Sequence, residues 1–391
     1  MDIPDYASFR EAEEKYEYYE PELSLAENLT GLINQALLLP HHDIQLPIIV
    51  SYCLIPSALA TIAPIMFLLG GRGSGKSTLM KIMGAVHNQP LLSASSSAVA
   101  LRNHINQSRW ADKVNFEGEK NTLLLFDNVG ENTLLNETLY LYLLNGYDRE
   151  TDSVMISGVQ GSNQVFKVFG LKVLSSVHSV LNNEKFVELV RRCLVIRFKV
   201  LEDIDTDSKF SPLMLEVFNL KTFNEKFNEF WTETSNIQAF LSAKRAYIRN
   251  KQKGAIPDIF STSRWAISLD LLATGYALNL WDGEAGIETV SNYWRWFDEI
   301  GKPTESPLIG ILKQVVETEM GTIDALNNRY GEGSFSYEIS PKVIKNACVS
   351  AAIRGALDNE PRPKVIAEAM QTLGWSLKMG EDKKMFWRKD Y

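Results

Sequence analysis

Residues 70–77 read Gly70-Gly71-Arg72-Gly73-Ser74-Gly75-Lys76-Ser77, with Thr78 next, and this G-x-x-x-x-G-K-S string constrains the fold more than any other feature of the chain. Before it stands Ile65-Met66-Phe67-Leu68-Leu69, an unbroken apolar run suited to a strand buried on both faces. After it, Ser77-Thr78-Leu79-Met80-Lys81-Ile82-Met83 continues as helix-forming sequence. Glycines at 70, 73 and 75 let the backbone curl so that successive N–H groups converge, and the following helix aims its positive end at the same point. A strand, loop and helix of this kind is expected to hold the phosphates of ATP or GTP on residues 70–78. Lys76 would reach the β- and γ-phosphates, and Ser77 would hold Mg²⁺, a hard cation that takes oxygen ligands.

A second buried strand is expected at Asn121-Thr122-Leu123-Leu124-Leu125-Phe126-Asp127-Asn128, ending in a carboxylate fifty-one residues beyond Lys76. It would deliver Asp127 beside the loop serine, so that Ser77 and Asp127 together form the metal site. Strand-like runs recur at 153–157, 164–169, 171–177 and 193–198, with helical sequence at 134–145 and 184–192 between them. That alternation implies an α/β fold: a parallel sheet covered by helices.

The flanks divide the chain further. Residues 1–45 are expected to form an acidic helical segment, with an arm or surface helix at 11–22 and a helix over 23–39 capped by Ser24 and stopped by Pro40. The nucleotide-binding core is expected over 46–202. Residues 46–69 carry no charge, but Pro47, Pro56 and Pro64 break the run, so a buried helix and a core strand are expected there rather than a membrane span. Residues 203–302 are helical in period almost throughout and are expected to form a lid. In 303–391 a helix at 309–318, a Gly/Asn/Ser-containing stretch at 321–336, helices at 341–356 and 363–374 and a closing hairpin predict a winged-helix domain. A small helical cap with an edge hairpin is the alternative. In the winged-helix arrangement, Arg362, Lys364, Lys378, Lys383, Lys384, Arg388 and Lys389 would supply phosphate contacts to DNA.

Charge supports that placement. Overall the chain is −8, but residues 1–30 hold nine acidic side chains against two basic ones, while 340–391 hold ten basic against six acidic. The C-terminal end is where an anionic partner would be received. Three widely spaced cysteines (Cys53, Cys193, Cys348) and five histidines without ligand spacing argue for a reduced, cytoplasmic setting and no metal beyond nucleotide-bound Mg²⁺.

With the loop, the Asp127 strand, the Ser175-Ser176 strand end and the Arg191-Arg192 pair in this order, the chain resembles an AAA+ ATPase. The run Phe166-Lys167-Val168-Phe169-Gly170-Leu171-Lys172-Val173-Leu174, followed by Glu188-Leu189-Val190-Arg191-Arg192-Cys193-Leu194-Val195-Ile196, is similar to the helicase-like modules of phage, plasmid and genomic-island replication proteins. The resemblance implies a polar sensor at Ser175 or Ser176, an arginine finger at Arg192 with Arg191 as its alternative, and a second sensor at Arg264, which opens a helix in the lid. It also implies a ring-shaped homo-oligomer, a hexamer in the family pattern, acting on DNA. One position departs from the superfamily: Asn128 stands where a water-polarising glutamate usually follows the aspartate, and an amide is not a useful general base. Glu131, three residues on, is the candidate substitute. Two functions are therefore open, a ring ATPase that translocates on, unwinds or remodels DNA in mobile-element replication, and a slowly hydrolysing nucleotide-switched adaptor that recruits a partner protein.

Overall fold

The structure is a computed structural model that describes residues 16–93, 96–109, 122–157, 163–177, 184–198, 215, 218–301, 307–330, 338–353, 361–379 and 385–389. The chain divides into two compact units, residues 1–176 with 185–302, and residues 177–184 with 303–391.

In the first unit the elements run β1 (Tyr16–Glu17), α1 (Leu25–Ala36), α2 (His42–Cys53), β2 (Ile65–Leu69), α3 (Lys76–His87), β3 (Leu91–Ser93), α4 (Ala98–Arg109), β4 (Leu123–Asp127), α5 (Glu131–Leu134) and α6 (Glu137–Asn145). They continue through β5 (Ser153–Ser157), β6 (Asn163–Lys167), β7 (Leu171–Ser176), α7 (Val187–Val190), β8 (Cys193–Arg197) and β9 (Phe218–Asn219). Four longer helices follow: α8 (Lys221–Thr232), α9 (Thr234–Gln252), α10 (Thr262–Ala277) and α11 (Gly283–Trp296). A π-helical turn, Phe297–Gly301, extends α11.

Five strands form one parallel sheet in the order β3-β4-β7-β2-β8. Its middle strands are apolar without alternation because both faces are covered: every residue of β7, and all of β2 but Leu69, is buried. The α/β reading of the core holds at this level. Strand β3 was not legible in advance, since three residues carry too little pattern. β5 and β6 pair with each other as a separate antiparallel hairpin, with Met155 opposite Val165.

Ser24 caps α1 as expected, its hydroxyl accepting from Glu27 N while the Glu27 carboxylate takes Ser24 N at 2.8 Å. The acidic opening is an arm rather than a helix where it is described, for Tyr16 and Glu17 pair in parallel with Phe218 and Asn219. Three buried polar groups tie the helices to one another and to β8. Ser51 Oγ donates to Leu271 O at 2.8 Å, Trp231 Nε1 to Leu54 O at 3.0 Å, and the Tyr293 hydroxyl both accepts from Val195 N at 2.8 Å and donates to Val195 O at 3.1 Å. These hydrogen bonds offset the cost of burying the three groups.

In the second unit, α12 (Pro307–Tyr330), β10 (Glu338–Ile339), α13 (Pro341–Ile353), α14 (Pro363–Thr372), β11 (Trp375–Met379) and β12 (Met385–Lys389) enclose a core of Leu312, Ile339, Ile344, Cys348, Met370, Trp375 and Trp387. Its three strands are antiparallel in the order β10-β12-β11. Helix α12 is longer than expected and runs straight through Gly321. Val316, Met320 and Ile323 keep the apolar spacing across that glycine, and their burial outweighs the roughly 1 kcal/mol that a glycine costs inside a helix. Arg362, Lys364 and Lys378 are exposed, Arg388 pairs with Glu338, and Lys383 and Lys384 lie outside the described residues. Among the described residues no helix is long and apolar enough to cross a membrane.

Candidate phosphate-binding site

The glycine loop leaves the C-terminal end of β2 and enters α3, at the strand ends where open α/β sheets bind ligands. Gly75 lies at φ +96, and a Cβ there would sit 2.6 Å from Leu37 Cδ2. A Cβ on Gly70 would sit 2.7 Å from Phe198 Cβ. The positive φ at Gly75 and the close approach of Phe198 to Gly70 both call for glycine, which accounts for two of the motif's residues by backbone geometry and packing. Arg72 and Gly73 are exposed, and Ser77 and Thr78 are partly buried in the first turn of α3.

Lys76 is buried, and its Nζ donates to Gly70 O at 2.5 Å and Gly71 O at 2.8 Å. Burial pushes its pKa down, and the Asp127 carboxylate opposes that shift. The Ser74 hydroxyl is buried within the loop and has no hydrogen-bond partner among the described residues. An orphaned buried hydroxyl within a glycine loop is what a phosphate oxygen would complete.

Asp127 ends β4 beside this loop. Its Oδ2 accepts from Ser77 Oγ at 2.8 Å, and its Oδ1 accepts from Ser175 Oγ and from Asn128 N, the latter at 3.0 Å. Ser77 and Asp127 therefore present adjacent oxygen ligands, a donor set that fits Mg²⁺. The sheet order explains the contact with Ser175: β7 lies between β4 and β2, so its end is placed between the carboxylate and the loop. Of the two serines the sequence offers, Ser175 gives its hydroxyl to Asp127, while Ser176 accepts the Gly70 N–H at 3.3 Å through its carbonyl. Asn128 is exposed in the left-handed region at φ +59, and its N–H also reaches Ser175 Oγ at 3.1 Å. Glu131 opens α5 and is exposed.

The arginines are placed elsewhere. Arg192 precedes β8, and its carbonyl accepts Ile65 N at 2.9 Å, at the start of the loop strand. Leu69, where the loop begins, is level with Arg197. Five residues of parallel strand thus put Arg192 roughly 16 Å from its own loop, at the opposite end of the sheet. Arg191 is exposed and pairs with Glu188 at 2.9 Å. Arg264 makes a two-pronged ion pair with Asp298, at 2.9 and 2.6 Å, and lies 5.0 Å over the Trp294 ring. None of those partners belongs to the loop.

Four residues at the site were missed in the sequence. Leu37 and Phe198 pack the loop glycines. Gln45 holds the end of β8, its Oε1 accepting Arg197 N at 2.8 Å and its Nε2 donating to Arg197 O at 3.3 Å. Arg197 itself is half-buried beside Leu69, and burial pushes its pKa down. The available signal was position, for Arg197 closes an apolar strand just as Asp127 does. A cavity of about 460 Å³ lies at the far end of α3, lined by Lys81, Asn88, Phe218, Asn219 and Lys221 among others, and not at the loop. Among the described residues no cluster of His, Cys, Asp and Glu could hold a metal ion by itself.

No family model matches the chain, and no curated protein matches it. Solved structures do. One, described as "SCCmec type IV Cch - active helicase", is 13% identical over 93% of this chain and 69% of that one, with a TM-score of 0.39. Another, the A-form apo structure of the C-terminal region of NrS-1, is 12% identical over 96% of this chain and 77% of that one, with a TM-score of 0.32. Scores this low do not establish a shared fold, so the functional reading rests on the loop and its partners.

Proposed function

We propose that the chain is an ATPase of AAA+ type that binds Mg²⁺-ATP at residues 70–78, assembles into a ring and remodels or moves along DNA. The observation that carries this reading is the Asp127 carboxylate, held at once by the loop serine Ser77 and by Ser175 of the intervening strand. A glycine loop alone is a phosphate cradle. A loop joined through a metal-binding carboxylate to a polar strand end is a cradle whose contents can be sensed.

Each residue has its own part. Loop N–H groups and Ser74 Oγ would bind the phosphates, and Lys76 would exchange its two carbonyl partners for phosphate oxygens. Ser77 and Asp127 would hold Mg²⁺, which when bound neutralises charge on the phosphate oxygens. Ser175, bonded to the same carboxylate, would follow the presence of the terminal phosphate. Arg192 cannot reach its own loop and would serve a neighbour's, which is why assembly belongs to the proposal. Residues 203–302 would act as the lid, with Arg264 as its nucleotide-facing arginine once released from Asp298. The second unit has the helix, helix, hairpin order of a winged helix, and its exposed Arg362, Lys364 and Lys378 would meet DNA phosphates.

Asn128 favours a second reading, a slow nucleotide switch that recruits another protein, because its side chain cannot act as a general base. Turnover measured with wild-type and Lys76→Ala protein, each with and without single- and double-stranded DNA, separates the two. DNA-stimulated hydrolysis that disappears in Lys76→Ala supports the ATPase. ATP binding without turnover supports the switch, and unchanged ATP affinity in Lys76→Ala refutes both.

A further inference from the structure

The segment entering the loop strand is pinned through its backbone donors. Thr61 N and Ile62 N donate to Asp270 Oδ2 of α10 at 3.1 and 3.3 Å, Ala63 N donates to Tyr147 O at 2.8 Å, and Ile65 N donates to Arg192 O at 2.9 Å. Residue 64 is proline and has no N–H. Lys244 of α9 pairs with Asp270 and also donates to Thr61 Oγ1 at 3.0 Å. Arg149 closes the other side, its Nε donating to Ala60 O at 2.7 Å and its backbone N–H to Thr61 O at 3.1 Å. Tyr147 and Arg192 are thus both anchored by their carbonyls to one fixed stretch of chain.

On that platform the Arg192 guanidinium lies over the Tyr147 ring, 5.2 Å from its centroid. The ring is half-buried, and burial pushes its phenol up to about 12, with Arg192 pulling the other way. A free arginine side chain has many rotamers, and that freedom is given up each time the group must be brought to a reacting anion. A ring face that fixes the guanidinium beforehand removes that cost from the reaction step. Arg191, by contrast, is exposed and pairs with Glu188.

We propose that Tyr147 is the positioning residue of Arg192, holding its guanidinium on the ring face so that it meets the triphosphate bound at the loop of a second copy of this chain. The inference rests on the ATPase reading above. It assigns the surface around Tyr147 and Arg192 to contact with the loop side of a neighbouring subunit.

The test uses the full chain at saturating ATP. Tyr147→Leu should lower kcat about tenfold, the range expected for loss of a partly desolvated cation–π contact, with KM and ATP affinity unchanged because the subunit's own loop is far away. Tyr147→Phe keeps the ring face and should stay within about twofold of wild type. Tyr147→Met replaces Tyr147→Leu if the latter does not fold. In mixtures, Lys76→Ala subunits should restore turnover to Tyr147→Leu subunits, while Lys76→Ala/Tyr147→Leu subunits should not. Wild-type kcat in Tyr147→Leu, or equal loss in Tyr147→Phe and Tyr147→Leu, overturns the proposal. Full turnover in Arg192→Ala removes the finger, and the proposal with it, while leaving the ATPase reading standing. ATP binding that survives Lys76→Ala removes the reading itself.

Discussion

Lys172 sits in the middle of the sheet with no exposed surface, and its ammonium donates to Gly146 O and Gly170 O at 2.6 Å each. Burial pushes its pKa down to about 7, with the Asp152 carboxylate pulling it back. In the unfolded chain the same lysine titrates near 10.5. Between those values the unfolded state binds a proton that the folded state has released, so stability must rise with pH, at up to about 1.4 kcal/mol per unit. From pH 7, where the folded group is half-protonated, to pH 9 the gain is about 2 kcal/mol. Lys172→Met removes the titration and leaves every other group in place, so the difference between the two proteins isolates it. Urea unfolding followed by tryptophan fluorescence at several pH values should show wild type gaining about 2 kcal/mol on Lys172→Met over that interval. Lys172→Gln provides the same comparison if the methionine variant folds poorly. Parallel stability curves from pH 7 to 9 would refute the reasoning and place the ammonium in contact with water.

Four further outcomes are expected. Lys76→Ala should abolish tight ATP binding in equilibrium titration, whereas Asp127→Ala should weaken Mg²⁺-dependent turnover more than binding. Asp270→Asn strands the buried Lys244 ammonium and should cost about 3–5 kcal/mol of stability, read as a lowered thermal midpoint. Neutralising Arg362, Lys364 and Lys378 together should flatten the salt dependence of duplex-DNA binding by about 0.9 for each phosphate these side chains neutralise, and an unchanged slope would turn the second unit into a packing or protein-docking element. Asn128→Glu should raise basal hydrolysis, and Glu131→Gln should lower it only if Glu131 positions the water. No change in either would show that other residues hold it.

The sheet was legible where burial on both faces erases alternation. Ile65–Leu69, Leu123–Asp127 and Cys193–Arg197 each read as apolar runs ending at a change of chemistry, and each is a strand of the parallel sheet. Loop, helix and capping chemistry were legible for a similar reason, since Ser24 and the glycines are local requirements of the backbone. What could not be read were partnerships over long sequence distance. Nothing near Arg264 announces Asp298 thirty-four residues away, and nothing in residues 61–65 announces Asp270. Choosing between Ser175 and Ser176 likewise required the strand order, because the pleat turns adjacent side chains to opposite faces.

Asn128 is where local backbone chemistry and long-range partnership meet. The chain must turn sharply after Asp127 so that Asn128 N can reach both Asp127 Oδ1 and Ser175 Oγ and Val129 N can reach Ser175 O at 2.7 Å. That turn sets φ at +59, a conformation that asparagine tolerates better than glutamate because its short amide can bond locally. The residue type at 128 therefore follows from the backbone bonds that join the carboxylate to the end of β7. A glutamate there would have to offset strain of about 1–2 kcal/mol before adding any chemistry. The same N–H and hydroxyl donors hold the Asp127 carboxylate in a fixed orientation, with a geometry decided by the sheet. In this chain the departure from the usual acid is thus coupled to a rigid corner of the sheet, and under the proposed ATPase reading the attacking water would be oriented from outside that corner, by Glu131 or by a residue on a neighbouring subunit.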